Sequence, residues 1–151
     1  MSRFKVRIKK KPIKAKKRLD KIDKALNGPG NVKVGLPKGS NNYPDGTSVI
    51  MVGLVQEFGS PVRNIPERSY LRSTVAGNKR KYKALMRKLA KQISEGKMTL
   101  NKALNILGLQ VQSDVQDKIT SISSPALKNR EGNPLVDTGH LRQSITYQVE
   151  D

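Results

Sequence analysis

The inventory of side chains able to carry acid–base chemistry is thin, one histidine and twelve scattered carboxylates, and one triplet near the end of the sequence invites a closer look. His140 is the single histidine and the only side chain whose unperturbed titration falls close to neutrality. Asp137 precedes it by three positions and Ser144 follows by four, so the residue types of an orienting acid, a base and a nucleophile occur together. Their spacing argues against a triad. Residues three and four apart share one face of a short helix, whereas nucleophile, base and orienter normally converge from separate elements. The expected role is a histidine beside a helix cap, and the chain is not expected to be an enzyme.

The remaining inventory narrows the chemistry further. There is no cysteine, which removes disulfides, thiolate nucleophiles and cysteine-based metal sites together. Gly28, Gly30 and Gly35 are not followed by the Gly-Lys-Ser/Thr sequence that opens a phosphate-binding helix, and they read as turn glycines. No cofactor, no metal and no small-molecule substrate is expected. The longest apolar stretch, residues 49–55, is far short of the roughly 20 residues a membrane span needs, so no membrane partner is expected.

Charge is the feature that points outward. Thirty Lys and Arg face twelve Asp and Glu, a formal charge of +18; partners of such a chain are polyanions or acidic protein surfaces. Residues 1–24 hold twelve of the cations against Asp20 and Asp23, a net of +10, and leave +8 to the rest. Lys9, Lys10, Lys11, Lys14, Lys16, Lys17 and Arg18 are the candidates for contact with nucleic acid or an acidic partner. Tryptophan is absent and only two Phe and four Tyr are present, so the contact expected is with phosphate rather than by stacking on bases.

The elements that position these groups follow from periodicity. Phe4, Val6 and Ile8 alternate with basic residues as a strand, and Ala15, Leu19, Ile22 and Leu26 recur at helical spacing. Residues 1–30 therefore read as a basic arm of strand plus amphipathic helix, and residues 31–151 as the core. Residues 32–36 read as a strand, 37–46 as a loop, and 47–58 as a helix capped by Thr47 or Ser48 and stopped by Gly59, although so short an apolar run also fits a buried strand. Pro61 and Pro66 predict an extended segment, after which Tyr70 and Leu71 begin a turn of helix.

Residues 78–94 carry Tyr82, Leu85, Met86, Leu89, Ala90 and Ile93 on one face and cations on the other. After Gly96, Thr99 caps a helix whose apolar stripe runs from Leu100 to Ile122. The two make a helical hairpin. Residues 125–134 read as a polar loop, Asp137 or Thr138 as the cap of a short helix, and Ile145, Tyr147 and Val149 as a closing strand. The fold class expected is α+β, a small β-sheet packed against a helical hairpin with the basic N-terminal arm attached.

Three segments carry a family resemblance. They are Val52-Gly53-Leu54-Val55-Gln56-Glu57-Phe58-Gly59-Ser60, Ile65-Pro66-Glu67-Arg68-Ser69-Tyr70-Leu71-Arg72, and Pro134-Leu135-Val136-Asp137-Thr138-Gly139-His140-Leu141-Arg142-Gln143-Ser144-Ile145. In this order, with the hairpin between the last two, they resemble the neck and tail-completion (virion morphogenesis) proteins of tailed bacteriophages. Glu67 stands where that family has a small residue and Tyr70 where it often has Phe, and the basic arm lies outside the match.

The resemblance implies a non-catalytic structural subunit of the virion neck or tail, made in the host cytoplasm. It would assemble as a homo-oligomeric ring between portal or head-completion proteins and tail-terminator or tail-tube proteins. Its interaction residues would be Glu57, Phe58, Gly59, Pro66, Arg68, Tyr70, Arg72, Asp137, Thr138 and Gly139. Glu57 is the expected partner of Arg68 or Arg72, and Arg68 is suited to lock a carboxylate or carbonyl with its fork of donors. The arm's charge leaves packaged DNA or an acidic virion surface as its contact. The alternative reading is a soluble basic nucleic-acid-binding protein acting through phosphate contacts, which explains the charge but not the three motifs.

Overall fold

Ser48 and Thr99 each accept a hydrogen bond from a backbone N–H one turn on, Met51 at 3.4 Å and Lys102 at 3.3 Å. A hydroxyl at that position satisfies a donor that the first helical turn leaves without a partner. These two caps open α2 (Val49–Phe58) and α5 (Leu100–Ser121), the helices on which the rest is built. A computed structural model of the chain describes residues 13–26, 30–127 and 131–150. In chain order the other elements are α1 (Ile13–Leu26), β1 (Asn31–Gly35), α3 (Leu71–Gly77), α4 (Lys79–Ser94), α6 (His140–Ser144) and β2 (Thr146–Glu150). The strand expected at Phe4, Val6 and Ile8 lies outside the described residues.

The protein is α+β, with a two-stranded antiparallel sheet in which Val32 faces Val149 and Val34 faces Tyr147. Two strands alone are marginal in water, and α5 supplies the surface that holds them. Gly108 on α5 is buried because the strands come down on it. A Cβ there would stand 2.4 Å from the Tyr147 ring and 2.8 Å from a Val32 methyl. Tyr147 then reaches past the helix, and its hydroxyl donates to Asn105 Oδ1 at 3.0 Å.

One core cluster gathers α2, α5 and the C-terminal segment around Val49, Val115, Ile119, Leu141 and Ile145. A second closes the α4–α5 hairpin around Leu89, Ile93 and Ala103. Gln116 on α5 donates to the carbonyls of Arg142 and Ile145, both at 3.2 Å, and so ties α6 and the start of β2 to the same helix.

Three expectations need correction. Met86 is 53% exposed and Ala90 is also exposed, so the covered face of α4 is the narrower row of Tyr82, Leu85, Leu89 and Ile93. Leu19 on α1 is exposed and Ile22 half-buried, so that helix lies on α4 with only part of its stripe covered. Pro61–Arg63 is a 3-10 turn rather than extended chain, because Asn64 adopts a left-handed conformation and returns its N–H to the Pro61 carbonyl.

Gly108→Ala is expected to destabilise the fold by about 2 kcal/mol, the usual scale for overfilling a packed contact. Urea denaturation with tyrosine fluorescence measures it, and the loss should be matched by faster amide hydrogen exchange in the β1–β2 pair.

Candidate functional site

The motif residues around Glu57 form one connected structure. Glu57 lies on the inner row of α2 with Val49 and Gly53 and is 4% exposed. Its carboxylate points at the start of α3. There it accepts from the Ser69 hydroxyl at 2.8 Å, from the N–H groups of Tyr70 and Leu71 at 2.8 Å, and from the N–H and Nε of Arg72 at 3.0 Å. It thus caps a helix that begins fourteen residues downstream, where a negative charge also meets the positive end of the helix dipole.

Burial by itself pushes this carboxyl's pKa up. The N–H groups of Leu71 and Arg72, the Ser69 hydroxyl and the Arg72 guanidinium outweigh burial, and the net displacement is downward. Of the two expected arginine partners, Arg72 is the one that meets Glu57. Its Nη2 also donates to the Glu57 carbonyl at 3.0 Å and to Glu67 Oε1 at 2.7 Å.

Arg68 goes elsewhere. It is 4% exposed, and its Nε and Nη2 donate to the carbonyls of Pro125 and Ala126 at 2.8 and 3.2 Å, while Nη1 donates to Gln56 Oε1 at 3.2 Å. The carbonyl half of the sequence expectation is the one realised. Because these partners carry no formal charge, burial lowers the pKa of the guanidinium. Its role is to pin residues 125–126 to the Glu57 loop.

Gly59 turns the chain out of α2 at φ 74°, and a Cβ there would lie 2.9 Å from Glu67 N and 3.0 Å from Ile65 O. Ser60 and Ile65 exchange backbone hydrogen bonds across the intervening turn. Pro66 is exposed at its base. Tyr70 is 3% exposed and packs its hydroxyl against Gly53. A groove of about 830 Å³ runs between this loop and residues 125–127, with Phe58, Ile65 and Arg68 among its walls.

On the outer side of the loop the Arg72 guanidinium lies 4.4 Å from the centre of the Phe58 ring, a cation–π contact that fixes an exposed aromatic. Sequence reasoning missed the neighbours of Phe58. Met51, Leu54 and Phe58 stand at one-turn spacing on the outer face of α2 and are 55%, 49% and 56% exposed, and Val62 at the turn is 98% exposed. Helical spacing in an all-apolar segment is the signal that could have shown this second stripe.

The C-terminal motif makes a separate group. Gly139 takes the cap position of α6 at φ 76°, with no side-chain cap, which corrects the expectation that Asp137 or Thr138 fills that role. Thr138 Oγ1 accepts from His140 N at 3.3 Å within the same turn. Asp137 stands near Tyr43, whose phenol is pushed up first by burial and then by that carboxylate. His140 Nε2 lies 2.8 Å from the Asn41 carbonyl, its ring is 4.6 Å from that of Tyr43, and Ser144 donates its hydroxyl to the His140 carbonyl rather than to the imidazole. The Ser144 hydroxyl is thus committed to the backbone, and the serine–imidazole link of a relay is not made.

The two motif groups meet across α2: Gln56 borders both the Arg68 groove and a cavity of about 330 Å³ beside Tyr43, Asp137 and His140. Of the basic candidates, Lys9, Lys10 and Lys11 lie outside the described residues, and Lys14, Lys16, Lys17 and Arg18 fall on α1, with Lys16 and Lys17 exposed. Among the described residues no group of three His, Asp or Glu side chains is placed to hold a metal ion, and no helix is long and apolar enough to cross a membrane.

Glu57→Gln is expected to cost about 3 kcal/mol, since hydrogen bonds to a charged, buried acceptor are worth more than neutral ones. The lowered pKa sets the sign of the pH dependence. The native chain should lose stability as pH falls below the ordinary glutamate range, about 4.3, until the buried carboxylate itself is protonated, and the Glu57→Gln variant should lack that component. Urea titrations of both proteins between neutral and acid pH measure it.

Comparison with family models, with curated proteins and with solved structures finds no match to this chain, so the functional reading rests on the site itself and on the three motifs.

Proposed function

We propose that this chain is a structural subunit of a tailed-bacteriophage virion, a neck or tail-completion protein that works by joining copies of itself and its neighbours into a ring between portal and tail. The observation that carries the reading is the apolar character of α2 on both of its sides. Gln56 and Glu57 are the only polar residues between Val49 and Phe58. A helix apolar all round belongs in an interior, yet here one long face stays open at Met51, Leu54 and Phe58. The Phe58 ring at its end is braced by Arg72, and Val62 on the turn that follows is also exposed; such an edge of exposed apolar residues is of the kind that protein interfaces bury.

The loop behind that edge supports the same reading. Glu57, Arg68 and Gly59 fix its path through hydrogen bonds and close packing inside the subunit, so little ordering remains to be done when a neighbour docks. Repetition of the edge around a closed ring would let modest contacts add up. The three motifs carry the family resemblance, and the edge offers a means of assembly.

Mass spectrometry of purified virions, followed by cryo-electron microscopy of the neck, tests the proposal. The expected result is density for this chain in a ring between portal and tail, with α2 and the turn after it at a protein interface. Absence of the chain from mature particles would overturn it. The double change Leu54→Gln and Phe58→Gln should leave the subunit folded, with stability altered by no more than about 1 kcal/mol at such exposed positions, and should keep it out of particles.

A further inference from the structure

We infer that the exposed face of α4, together with the adjoining cations of α1, is a binding surface for double-stranded DNA, gripping the phosphate backbone without reading sequence. This inference concerns elements other than the α2 edge and does not rest on the connector reading.

Between Lys79 and Ser94, α4 carries seven cations and no carboxylate. One of the seven, Lys81, pairs with Asp114 of α5 at 2.7 and 2.9 Å. Lys79, Lys83, Arg87 and Lys91 follow one another at four-residue spacing, all exposed, so each stands over a like charge on the same helix face, an arrangement that destabilises an isolated helix. Lys79 and Arg80 also occupy the first turn, which contains no acidic residue, and there they oppose the helix dipole. The helix persists because Tyr82, Leu89 and Ile93 are buried. It holds no carboxylate of its own to relieve the repulsion along its outer face, and a polyanion would.

The face extends onto α1. A Cβ on Gly96, just past the end of α4, would lie 3.4 Å from the Lys21 side chain, and Lys17, Lys21 and Lys24 are exposed. Asp20 and Asp23 dilute the charge of α1, so α4 is the denser half. At 1.5 Å per residue the row from Lys79 to Lys91 spans about 18 Å, and a duplex presents about ten phosphates over that length.

Side-chain chemistry favours nucleic acid over an acidic protein. Lysine is depleted where proteins bury surface against each other, and Met86 is the one large apolar side chain exposed on α4. A single strand is disfavoured because α4's one aromatic, Tyr82, is buried and offers no stacking platform.

The test uses the full chain and a fluorescent duplex of about 30 base pairs, comfortably longer than the row of cations, with binding measured by anisotropy across a salt series. Replacing Lys83, Arg87 and Lys91 by Gln should reduce the slope of log affinity against log salt by about 2.7, the value for three lost phosphate contacts. Replacing Lys38, Lys118 and Arg142 by Gln removes the same charge elsewhere and should change the slope by less than about one. Two duplexes of unrelated sequence should bind alike. Equal losses in the two triple variants would overturn the inference, because net charge alone would then account for binding. So would tighter binding of a single strand than of the duplex. Loss of poly-glutamate binding by the α4 variant with duplex binding unchanged would assign the face to an acidic protein instead.

Discussion

The Glu57 carboxylate is the interaction from which the geometry of the motif region follows. An ionised carboxylate held out of water costs several kcal/mol unless donors surround it, and here five do, all from residues 69–72 and one of them a guanidinium already half in solvent. The number of donors decides the balance: the group remains charged, with its pKa displaced downward despite burial. Because the donors belong to the start of α3 and the acceptor to the last turn of α2, this one side chain sets how the two helices meet. The path of residues 59–68 is then closed at both ends.

Two further consequences run outward from it. Arg72, held by Glu57 and Glu67 on one side, lies over Phe58 on the other, so the polar anchor and the exposed aromatic are parts of a single assembly. In the other direction α3 passes through Asn78 straight into α4, with Asn78 donating through both its N–H and its side chain to the Thr74 carbonyl. The placement of the cationic helix is therefore coupled to the same capping site. What resists distortion at the far end is α5, which carries the sheet at Gly108 and binds α6 through Gln116.

Local features are legible in the sequence and contacts across distance are not. Ser48 and Thr99 announce α2 and α5 because a cap acts within one turn. The alternation of Ile145, Tyr147 and Val149 announces β2 because a strand's pattern is also local. The start of α3 has no such signal, since its cap comes from Glu57 thirteen residues before Tyr70. Arg68 is an extreme case: two of its three acceptors are backbone carbonyls 57 and 58 residues away, and carbonyls carry no mark in the sequence. The spacing of Asp137, Thr138 and His140 suggests a side-chain cap, but a glycine with positive φ settles the turn instead. For α4, a stripe counted from apolar residues alone is too wide, because its neighbours cover only part of the helix's circumference and leave Met86 outside.

The two outward-facing surfaces have opposite physical characters. The α2 edge leaves apolar area in water, a cost that falls when any well-shaped apolar surface covers it and that salt barely changes. The α4 face leaves like charges side by side, a cost that falls only near negative charge and that salt screens. A covering that relieves one of these costs does not relieve the other. The surfaces use different elements, α2 with the turn after it and α4 with α1, and the hydrogen-bonded passage from Glu57 through α3 to α4 links them. If both proposals hold, the chain offers separate contacts to a protein and to a polyanion, as the proposed joint between two larger structures would require.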